Sequence, residues 1–275
     1  MPTLQEYCFE HIDALRAYNQ ANMHWGQYNV APFNHIPQFA AVLGHIPPAI
    51  SRENIIQTFR DENYYLGFVM AMMWGNIEKS PSPVHPGDLL TSNAYQAFDM
   101  QPDTIAHYLS QVKHFIDIEQ SEVAYNGLLP GGDFQINGVG ESFFTKIICF
   151  LSQSLDEPRN LLIYDKWTRL VHLHLMLDNE LNPNVFYTNN KIKKIATTGG
   201  VYANNNQRYN AYHHYCNSMA QLADALSNEN HPISPFKLEA YLFGKDLRPL
   251  VNRNNHNPRY WYKNNFKVQY LPLFQ

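Results

Sequence analysis

Apolar residues recur along most of the chain at the spacing of an amphipathic helix. The segment that begins at Asp103 is the clearest example, because its apolar positions follow a period of about 3.6 residues. These positions are Ile105, Leu109, Val112, Phe115 and Ile116. Similar patterns predict helices over about 62–73, 141–154, 166–178 and 204–226, with a short one over 87–99. Convincing strand alternation and internal repeats are missing from the sequence, so the pattern predicts an all-α protein.

Polar residues mark several of the predicted helix starts. Thr3 and Glu6 have the spacing of a capping box, in which each side chain accepts a hydrogen bond from the other residue's backbone N–H. Ser51 precedes another apolar run, and Ser234 with Pro235 makes a favoured pair for an N-cap and a first helical position. These local signals predict where helices begin.

Length and cysteine content narrow the class of protein. A chain of 275 residues suits one large domain or two smaller lobes. Three scattered cysteines argue against a disulfide framework and favour a reducing compartment, and they are too few for an iron–sulfur cluster with four thiolate ligands. No apolar stretch approaches the roughly 18 residues of a membrane span, and Glu6, Glu10 and Asp13 interrupt any signal-peptide pattern. We therefore expect a cytoplasmic protein without a membrane segment.

The net charge of −4 provides no overall attraction to nucleic acid, so such affinity must come from local clusters. Basic residues alternate with aromatic ones toward the C-terminal end: Arg248, Arg253, Arg259, Lys263 and Lys267, with Tyr260, Trp261 and Tyr262. Lys191, Lys193 and Lys194 form a second cluster. Basic and aromatic side chains together suit phosphate contact and base stacking. A solvated tail that packs its rings on the core would show the same pattern, and both interpretations stay open.

A glycine-rich turn precedes the helix predicted over 141–154. Gly138 and Gly140 flank Val139, and such a turn lets backbone N–H groups face a phosphate. On the helix that follows, Lys146 falls at the edge of a broad apolar face. The opposite face carries two polar residues, Thr145 and Ser152. Partial desolvation lowers the pKa of a lysine amine and makes its neutral, nucleophilic form accessible. A helix lysine taken alone is more often a surface residue that extends its amine into water.

Asp165 lies 19 residues after Lys146, which leaves room for one helix and a short return. It follows the apolar run 161–164 and precedes the helix predicted over 166–178, so we expect it at the N-cap. Backbone N–H groups and the helix dipole keep a carboxylate at that position ionised, and a carboxylate held in this way can stabilise a nearby positive charge. A purely structural cap is the simpler alternative, since caps are common.

The stretch from about Gly138 to Leu177 resembles the helix-hairpin-helix DNA glycosylases, in particular the bacterial relatives of the 8-oxoguanine DNA glycosylase branch. The similar phrases are Gly-Val-Gly-Glu-Ser-Phe-Phe-Thr-Lys, which ends at Lys146, and Leu-Ile-Tyr-Asp, which ends at Asp165. The resemblance implies that Lys146 is the Schiff-base lysine and Asp165 the catalytic carboxylate. One departure from the eukaryotic pattern is four additional residues, 141–144, between hairpin and lysine, so either the turn is longer or the helix starts earlier.

The resemblance also implies a fold and a partner. It implies an all-α glycosylase domain of two lobes over residues 1–275, with the active site in the cleft between the lobes and a helix-hairpin-helix core at about 103–178. The implied partner is double-stranded DNA with an everted modified base, bound by a monomer that needs no metal or organic cofactor. We expect DNA contacts from the hairpin and from three basic residues. The hairpin residues are Gly138, Val139 and Gly140, and the basic residues are Arg169, Arg259 and Lys263.

In such an enzyme the target nucleotide leaves the base stack before the chemistry begins. Neutral Lys146 attacks C1′ of the sugar as the base departs, and Asp165 stabilises the developing positive charge. The resulting Schiff base permits β-elimination, so the resemblance implies an AP lyase step beside base excision.

Two other functions and the identity of the target base stay open at this point. A non-catalytic DNA-binding protein would use the hairpin as a clamp, and a helical scaffold would have no DNA role. The pairing of Lys146 with Asp165 favours the enzyme, because a clamp needs neither residue.

The default target is 8-oxoguanine. Residues 20–50 and 179–232 are rich in Asn, His and Tyr and could form a pocket for a hypermodified phage base, which would make the protein an antiviral defence factor.

Histidine pairs invite a metal site, but their spacing argues against one. His172 with His174, and His213 with His214, are spaced so that neither pair lies on one helix face. We therefore predict structural roles for these side chains.

Overall fold

The computed structural model describes residues 2–20, 28–29, 42–75, 93–197, 201–243 and 258–274. Helices dominate these residues, which confirms the predicted all-α class. In chain order they are α1 Leu4–Glu10, α2 Ile12–Gln20, α3 Arg52–Arg60, α4 Tyr64–Trp74, α5 Pro102–Asp117, α6 Ser121–Leu128, α7 Glu141–Gln153, α8 Lys166–Asp178, α9 Asn189–Thr197, α10 Arg208–Leu226, α11 Pro235–Phe243 and α12 Pro258–Gln269. Short 3-10 helices cover Asn93–Asp99, Pro183–Val185, Asn205–Gln207 and Leu271–Phe274. In the described ranges, strand pairing joins β1 Tyr28–Asn29 to β2 Ala49–Ile50 in antiparallel register.

The chain divides into two compact units. Residues 24–159 form the first, here called the middle unit, and it contains α3 to α7. Residues 1–23 and 160–275 form the second, here called the terminal unit, and it contains α1, α2 and α8 to α12. That the whole chain forms one domain of two lobes around a cleft stays a prediction.

The central helix of the middle unit is α7. It packs against α3, α4, α5 and α6, and every residue from Phe144 to Ser152 is buried. Its neighbour α4 is buried without interruption from Gly67 to Trp74. Thr145 and Ser152, which lie opposite the broad apolar face, are therefore buried as well, because neighbouring helices surround this part of α7.

Hydrogen bonds compensate for the buried polar residues of α7. The Thr145 hydroxyl donates to the carbonyl oxygen of Glu141 at 2.7 Å. The Ser152 hydroxyl donates to the carbonyl oxygen of Arg159 at 2.6 Å and accepts from the Arg159 backbone N–H at 3.1 Å. Satisfied in this way, a short hydroxyl side chain can be buried without the large penalty of an unpaired polar group.

The central helix of the terminal unit is α8. It packs against α1, α9, α10, α11 and α12, and every residue from Thr168 to Met176 is buried. The apolar run that precedes it, 161–164, is buried as well. Asp165 therefore stands between a buried run and a largely buried helix.

Capping residues begin helices where the sequence places them. Thr3 and Glu6 form the reciprocal capping box of α1. Ser51 caps α3 by accepting a hydrogen bond from the Asn54 backbone N–H at 3.1 Å. The Ser234 hydroxyl accepts from the third residue of α11 in the same manner, at 3.2 Å. These predictions are confirmed because capping depends on neighbours within a few residues.

Helix boundaries differ from the predictions by two or more residues at three places. The helix expected over 62–73 is α4, shifted by one or two residues. The helix expected over 204–226 begins at Arg208, after a single 3-10 turn. The expected helix over 87–99 is a 3-10 helix from Asn93, and its first part lies outside the described residues. Most of the segment 20–50 also lies outside them.

Cys8, Cys149 and Cys216 are all buried. Burial raises the pKa of the Cys8 thiol and of the Cys216 thiol to about 12.

Within the ranges that the structure describes, none of the helices combines the length and the apolar character that crossing a membrane requires.

Candidate active-site residues

The predicted hairpin is a tight turn that leads into α7. Gly138 has a φ of 74°, a left-handed conformation in which a side chain would be strained. The Val139 backbone N–H donates to the carbonyl oxygen of Ile136 at 3.1 Å, and the Val139 side chain is buried. Gly140 is extended and is the N-cap of α7, without a side chain to cap it. The turn therefore has the backbone conformation that its glycines predict.

The four additional residues before Lys146 belong to the helix and not to a longer turn. The N–H groups of Phe143 and Phe144 both donate to the carbonyl oxygen of Gly140, at 2.8 and 3.0 Å, so α7 begins at Glu141. Four residues advance a helix by about 6 Å and rotate it by about 400°, which returns to nearly the same face. Lys146 thus lies about one turn farther from the hairpin than the eukaryotic spacing implies, on almost the same side of the helix.

The Lys146 side chain is folded against its own helix. Its Nζ donates to the carbonyl oxygen of Ser142 at 2.5 Å and lies 5.5 Å from the ring centroid of Phe143. The side chain is only 5% exposed. The contact with Phe143 agrees with the expected position of Lys146 at the edge of the apolar face. The burial of Lys146 argues against a surface lysine that extends into water.

A buried carboxylate stands in the first turn of α7, and the sequence analysis missed it. The Tyr125 hydroxyl donates to Glu141 Oε1 at 2.7 Å, and both groups are buried. The Tyr125 ring also packs edge-on against Phe144, with centroids 5.1 Å apart. A negative charge suits the first turn of a helix, where Glu141 stands. Since Tyr125 and Glu141 are 16 residues apart, no local pattern indicates the pair.

Asp165 caps α8 as expected. Its Oδ1 accepts hydrogen bonds from the backbone N–H groups of Trp167 at 2.8 Å and Thr168 at 3.3 Å. In return, the Asp165 backbone N–H donates to the Thr168 hydroxyl at 2.7 Å, which completes a capping box. The residue is 8% exposed. The carboxylate is therefore fixed in orientation by the backbone that it caps.

Arg169 does not lie where a DNA-contacting residue would be expected. Its side chain is fully buried, and its Nη2 donates to the carbonyl oxygen of Tyr164 at 3.1 Å. The guanidinium carbon lies 5.1 Å from the ring centroid of Tyr164 and 4.7 Å from that of Tyr202. In this conformation Arg169 offers no surface to DNA, so we assign it a packing role. The sequence pattern did not reveal the burial of Arg169, because a pattern within one helix does not show how many other helices pack around it.

Three cations surround the ring of Trp167. The distances from the ring centroid are 5.3 Å to Lys166 Nζ, 5.7 Å to Lys263 Nζ and 5.0 Å to the guanidinium carbon of Arg259. Lys166, Trp167 and Lys263 line a cavity of about 190 Å³ whose other lining residues are Leu170, Ile195, Ala196 and Thr197. The terminal unit thus brings Lys263 of the C-terminal cluster next to the helix that Asp165 begins.

Arg259 has a mainly structural position beside this cavity, which will be called the Trp167 cavity. It is mostly buried, its Nε donates to the carbonyl oxygen of Phe243, and its guanidinium carbon lies 4.0 Å from the Phe243 ring centroid. The nearby ring of Trp261 stacks on Tyr7 with centroids 4.0 Å apart. For these side chains the interpretation as a packed tail is right. Two other basic residues of the cluster, Arg248 and Arg253, lie outside the described residues.

A chain of polar rings crosses the terminal unit, and the sequence analysis did not anticipate it. Tyr164 Oη lies 2.7 Å from His172 Nδ1 and hydrogen-bonds to Tyr187, and His172 Nε2 lies 2.9 Å from His214 Nδ1. Burial, followed by the nearby His214, holds the pKa of His172 well below its ordinary value of 6.5. Burial also lowers the pKa of His174, whose Nε2 donates to the Tyr262 carbonyl oxygen at 2.7 Å.

These histidines do not assemble a metal site. In the part of the chain that the structure describes, no group of three or more His, Cys, Asp or Glu side chains is arranged to hold a metal ion. The structural role predicted for His172 and His174 agrees with their burial and their hydrogen bonds.

Lys146 belongs to the middle unit and Asp165 to the terminal unit. Each is in the conformation described above within its own unit. Their convergence on one nucleoside stays a prediction.

Comparison with known proteins provides one match. A family model described as 8-oxoguanine DNA glycosylase OGG-like protein matches residues 19–243, which include the hairpin, Lys146 and Asp165. Neither the search of curated proteins nor the search of solved structures found a match. The family match covers most of the 275 residues and agrees with the all-α fold and with the resemblance in the hairpin region. The chain therefore belongs to the family of 8-oxoguanine DNA glycosylase OGG-like proteins.

Proposed function

We propose that this protein excises a damaged or modified base from double-stranded DNA, with Lys146 as the nucleophile and Asp165 as the stabilising carboxylate. The observation that carries the proposal is the nearly buried amine on the helix that starts directly after a glycine hairpin. The family match supports a DNA glycosylase in general terms and spans both residues.

In the first step the Lys146 amine attacks C1′ of an everted nucleoside. A bond forms between Nζ and C1′ while the glycosidic bond breaks, and its electron pair leaves with the base, which takes up a proton. The attached nitrogen then loses a proton, its lone pair forms the C1′=N bond, and the C1′–O4′ bond breaks with its electron pair going to the ring oxygen, which takes up a proton; the product is a Schiff base. Removal of a C2′ proton from this species breaks the C3′–O bond, which nicks the strand as an AP lyase does.

Asp165 acts electrostatically in this proposal. Positive charge develops at C1′ and the ring oxygen as the base departs, and a nearby carboxylate lowers the energy of that state. Two backbone N–H groups already fix the carboxylate, so little reorganisation is needed during the reaction. The same hydrogen bonds favour its ionised form at the helix start.

The DNA grip in this proposal comes from two elements. The hairpin Gly138-Val139-Gly140 contributes the backbone N–H groups of Gly138 and Gly140 to a phosphate, since glycine leaves the backbone accessible, whereas the Val139 N–H donates within the turn. The amines of Lys166 and Lys263 at the Trp167 cavity provide positive charge for a second phosphate. At about 190 Å³ this cavity is below the usual range of roughly 300–1,000 Å³ for small-molecule sites, so it suits a phosphate group better than a whole nucleoside.

We propose two candidates for the target base. 8-Oxoguanine is the default, by likeness to the branch after which the family is described. A hypermodified phage base is the alternative, which rests on the Asn-, His- and Tyr-rich composition of residues 179–232. Release of such a base would give the protein an antiviral role.

Borohydride trapping tests the enzymatic proposal, because reduction of a Schiff base leaves a covalent protein–DNA adduct. Wild type, Lys146→Gln and Lys113→Gln are incubated with duplexes that contain 8-oxoguanine, with DNA of phages that carry glycosylated bases, and with unmodified DNA. Lys113 is a helix lysine of the same unit and provides the matched control. We expect an adduct with at least one modified DNA for wild type and Lys113→Gln, and none for Lys146→Gln.

The same experiment separates the enzyme from a non-catalytic DNA clamp. A wild-type protein that binds duplex DNA but releases no base and forms no adduct across the whole panel would contradict the proposal and favour the clamp. An adduct that persists in Lys146→Gln would show that another amine is the nucleophile.

A further inference from the structure

A second basic cavity lies in the terminal unit and shares no lining residue with the Trp167 cavity. Its volume is about 280 Å³, and it will be called the Tyr202 cavity. The lining residues are Asn190, Lys191, Lys194, Val201, Tyr202, Ala203 and Arg208. They come from α9, from the segment that follows it and from the first residue of α10.

Three cations line this cavity without a carboxylate among the lining residues. Lys191 and Lys194 lie three positions apart on α9, so their side chains lie on the same side of the helix. Arg208 joins them from the start of α10. The sequence around them is unusual in this acidic protein, because residues 181–223 contain no Asp or Glu. A region with cations alone creates a local positive potential despite the net charge of −4.

Neighbouring groups hold two of the cations in place. Lys191 Nζ donates to the carbonyl oxygen of Ala203 at 3.2 Å. Arg208 donates from Nη2 to Asn205 Oδ1 at 3.0 Å, and its guanidinium carbon lies 5.1 Å from the ring centroid of Tyr202. Each contact uses only part of the donor capacity of its side chain, since an ammonium has three N–H donors and a guanidinium has five. In the described part of the chain, the buried Nε of Arg208 has no acceptor.

The cations also act on one another. Partial burial, followed by the charge of Arg208, lowers the pKa of Lys191. Like charges brought close together disfavour the charged state. An anion bound between them would remove this repulsion and restore the ordinary preference for the protonated amine.

The hydrogen-bond donors and the volume of the Tyr202 cavity indicate the chemical class of its ligand. A guanidinium fork with two ammonium groups offers more positive charge than a single carboxylate would neutralise, and it suits a phosphate with several oxygen acceptors. At about 280 Å³ the cavity is close to the lower end of the roughly 300–1,000 Å³ range of small-molecule sites, which suits a phosphate with part of its nucleoside. The half-buried ring of Tyr202 provides an apolar wall beside the charges.

We propose that the Tyr202 cavity is a phosphate-binding site that takes the phosphate group of a nucleotide, with Lys191, Lys194 and Arg208 as the ligating cations. The phosphate comes either from the backbone of a bound DNA strand or from a free nucleotide. The site does not depend on Lys146 or Asp165, so it can be tested by binding alone, whatever the outcome of the trapping experiment.

The test compares full-length wild type with the double variant Lys191→Gln/Arg208→Gln and the control Lys193→Gln. Lys193 lies on the same helix but does not line the cavity. In the first arm, fluorescence anisotropy measures binding of a labelled unmodified duplex between about 50 and 200 mM salt. In the second arm, titration calorimetry measures binding of 2′-deoxyadenosine 5′-monophosphate and of inorganic phosphate.

If the phosphate belongs to DNA, the double variant binds the duplex roughly tenfold more weakly than Lys193→Gln does. The slope of log affinity against log salt then falls by about 0.9 for each phosphate that the variant no longer neutralises. If it belongs to a free nucleotide, the second arm shows the weakened binding and duplex binding matches that of the control. Equal binding by the folded double variant and the control in both arms overturns the proposal. Should the double variant not fold, Lys194→Gln, which changes an exposed residue, replaces it with the same criteria.

Discussion

The helices α7 and α8 occupy equivalent places in the two units but begin in different ways. Each is the central helix of its unit, and each carries nine consecutive buried residues. The first, α7, begins at a glycine without a side-chain cap, and its proposed catalytic amine lies one turn and more into the helix. The second, α8, begins at Asp165, whose carboxylate is both the helix cap and the proposed catalytic group.

In α7 the proposed catalytic residue does not cap the helix, whereas in α8 Asp165 is both the cap and the proposed catalytic residue. A glutamine at position 146 keeps a donor for the Ser142 carbonyl and most of the apolar stem, so this replacement should affect the chemistry far more than the fold. Asp165 holds the backbone of the helix start, so an arbitrary replacement should affect both. The following predictions test that contrast.

Lys146→Gln should have the largest effect on activity. Glutamine retains a donor for the Ser142 carbonyl but has no nucleophilic nitrogen, so single-turnover base excision should fall by about 10³-fold or more. The free energy of unfolding should change by less than about 1 kcal/mol. Excision assays and urea denaturation of the same preparation measure both quantities. A variant that loses stability along with activity would contradict the separation proposed for α7.

Asp165→Asn and Asp165→Ala should divide the two roles of the carboxylate. Asparagine caps helices about as well as aspartate, so Asn should leave the free energy of unfolding within a few tenths of a kcal/mol while lowering the rate of excision by about 10²-fold. Alanine should lower the rate similarly and also cost about 1 kcal/mol of stability. Equal stability of the Asn and Ala variants would show that the cap contributes little to the fold.

Acidification should destabilise the protein through the buried histidines of α8, whereas α7 contains no histidine. His172 and His174 have folded-state pKa values below the ordinary 6.5, so the unfolded chain binds more protons than the folded one below about pH 6.5. The free energy of unfolding is therefore unaffected by these groups above about pH 6.5. It falls by up to about 1.4 kcal/mol per pH unit for each histidine as the pH drops toward the lowered values.

Denaturation at about pH 7.5, 6.5 and 5.5 measures this pH dependence. His172→Gln should make it shallower, and His213→Gln, which changes an exposed histidine on α10, should leave it as in wild type. A pH dependence that is the same in all three proteins would exclude His172 as its source.

Gly138→Ala tests the turn before α7 and should have the smallest effect on function among these variants. A φ of 74° strains an alanine, so the variant should lose about 1–2 kcal/mol of stability and bind DNA a few-fold more weakly. Gly131→Ala is the matched control, because Gly131 has a φ of 86° but lies outside the hairpin. We expect a similar loss of stability for Gly131→Ala with unchanged DNA affinity. Equal affinities of the two variants would argue against a phosphate contact at the hairpin.

The features that the sequence predicted correctly depend on near neighbours. Helix starts at Thr3, Ser51 and Asp165 follow from capping chemistry within three residues. The turn before α7 follows from the conformational freedom of Gly138. The family membership agrees with the short phrases that end at Lys146 and Asp165.

The features that the sequence did not reveal depend on packing between distant segments. Helical periodicity predicts which face of α7 is apolar, but whether the other face is also buried depends on how many helices surround it. For the same reason Arg169, a cation on a predicted helix, was expected at DNA and is buried instead. The contact of His172 with His214 joins residues 42 positions apart, and no local spacing indicates it.

The three buried thiols bear on how the protein tolerates oxidising conditions. Peroxide and related oxidants react with the thiolate form of cysteine, and both burial and a raised pKa keep that form scarce at Cys8 and Cys216. Oxidative stress is also the condition under which guanine bases are damaged. A protein that works on such lesions would therefore keep its thiols reduced while the DNA around it is being oxidised.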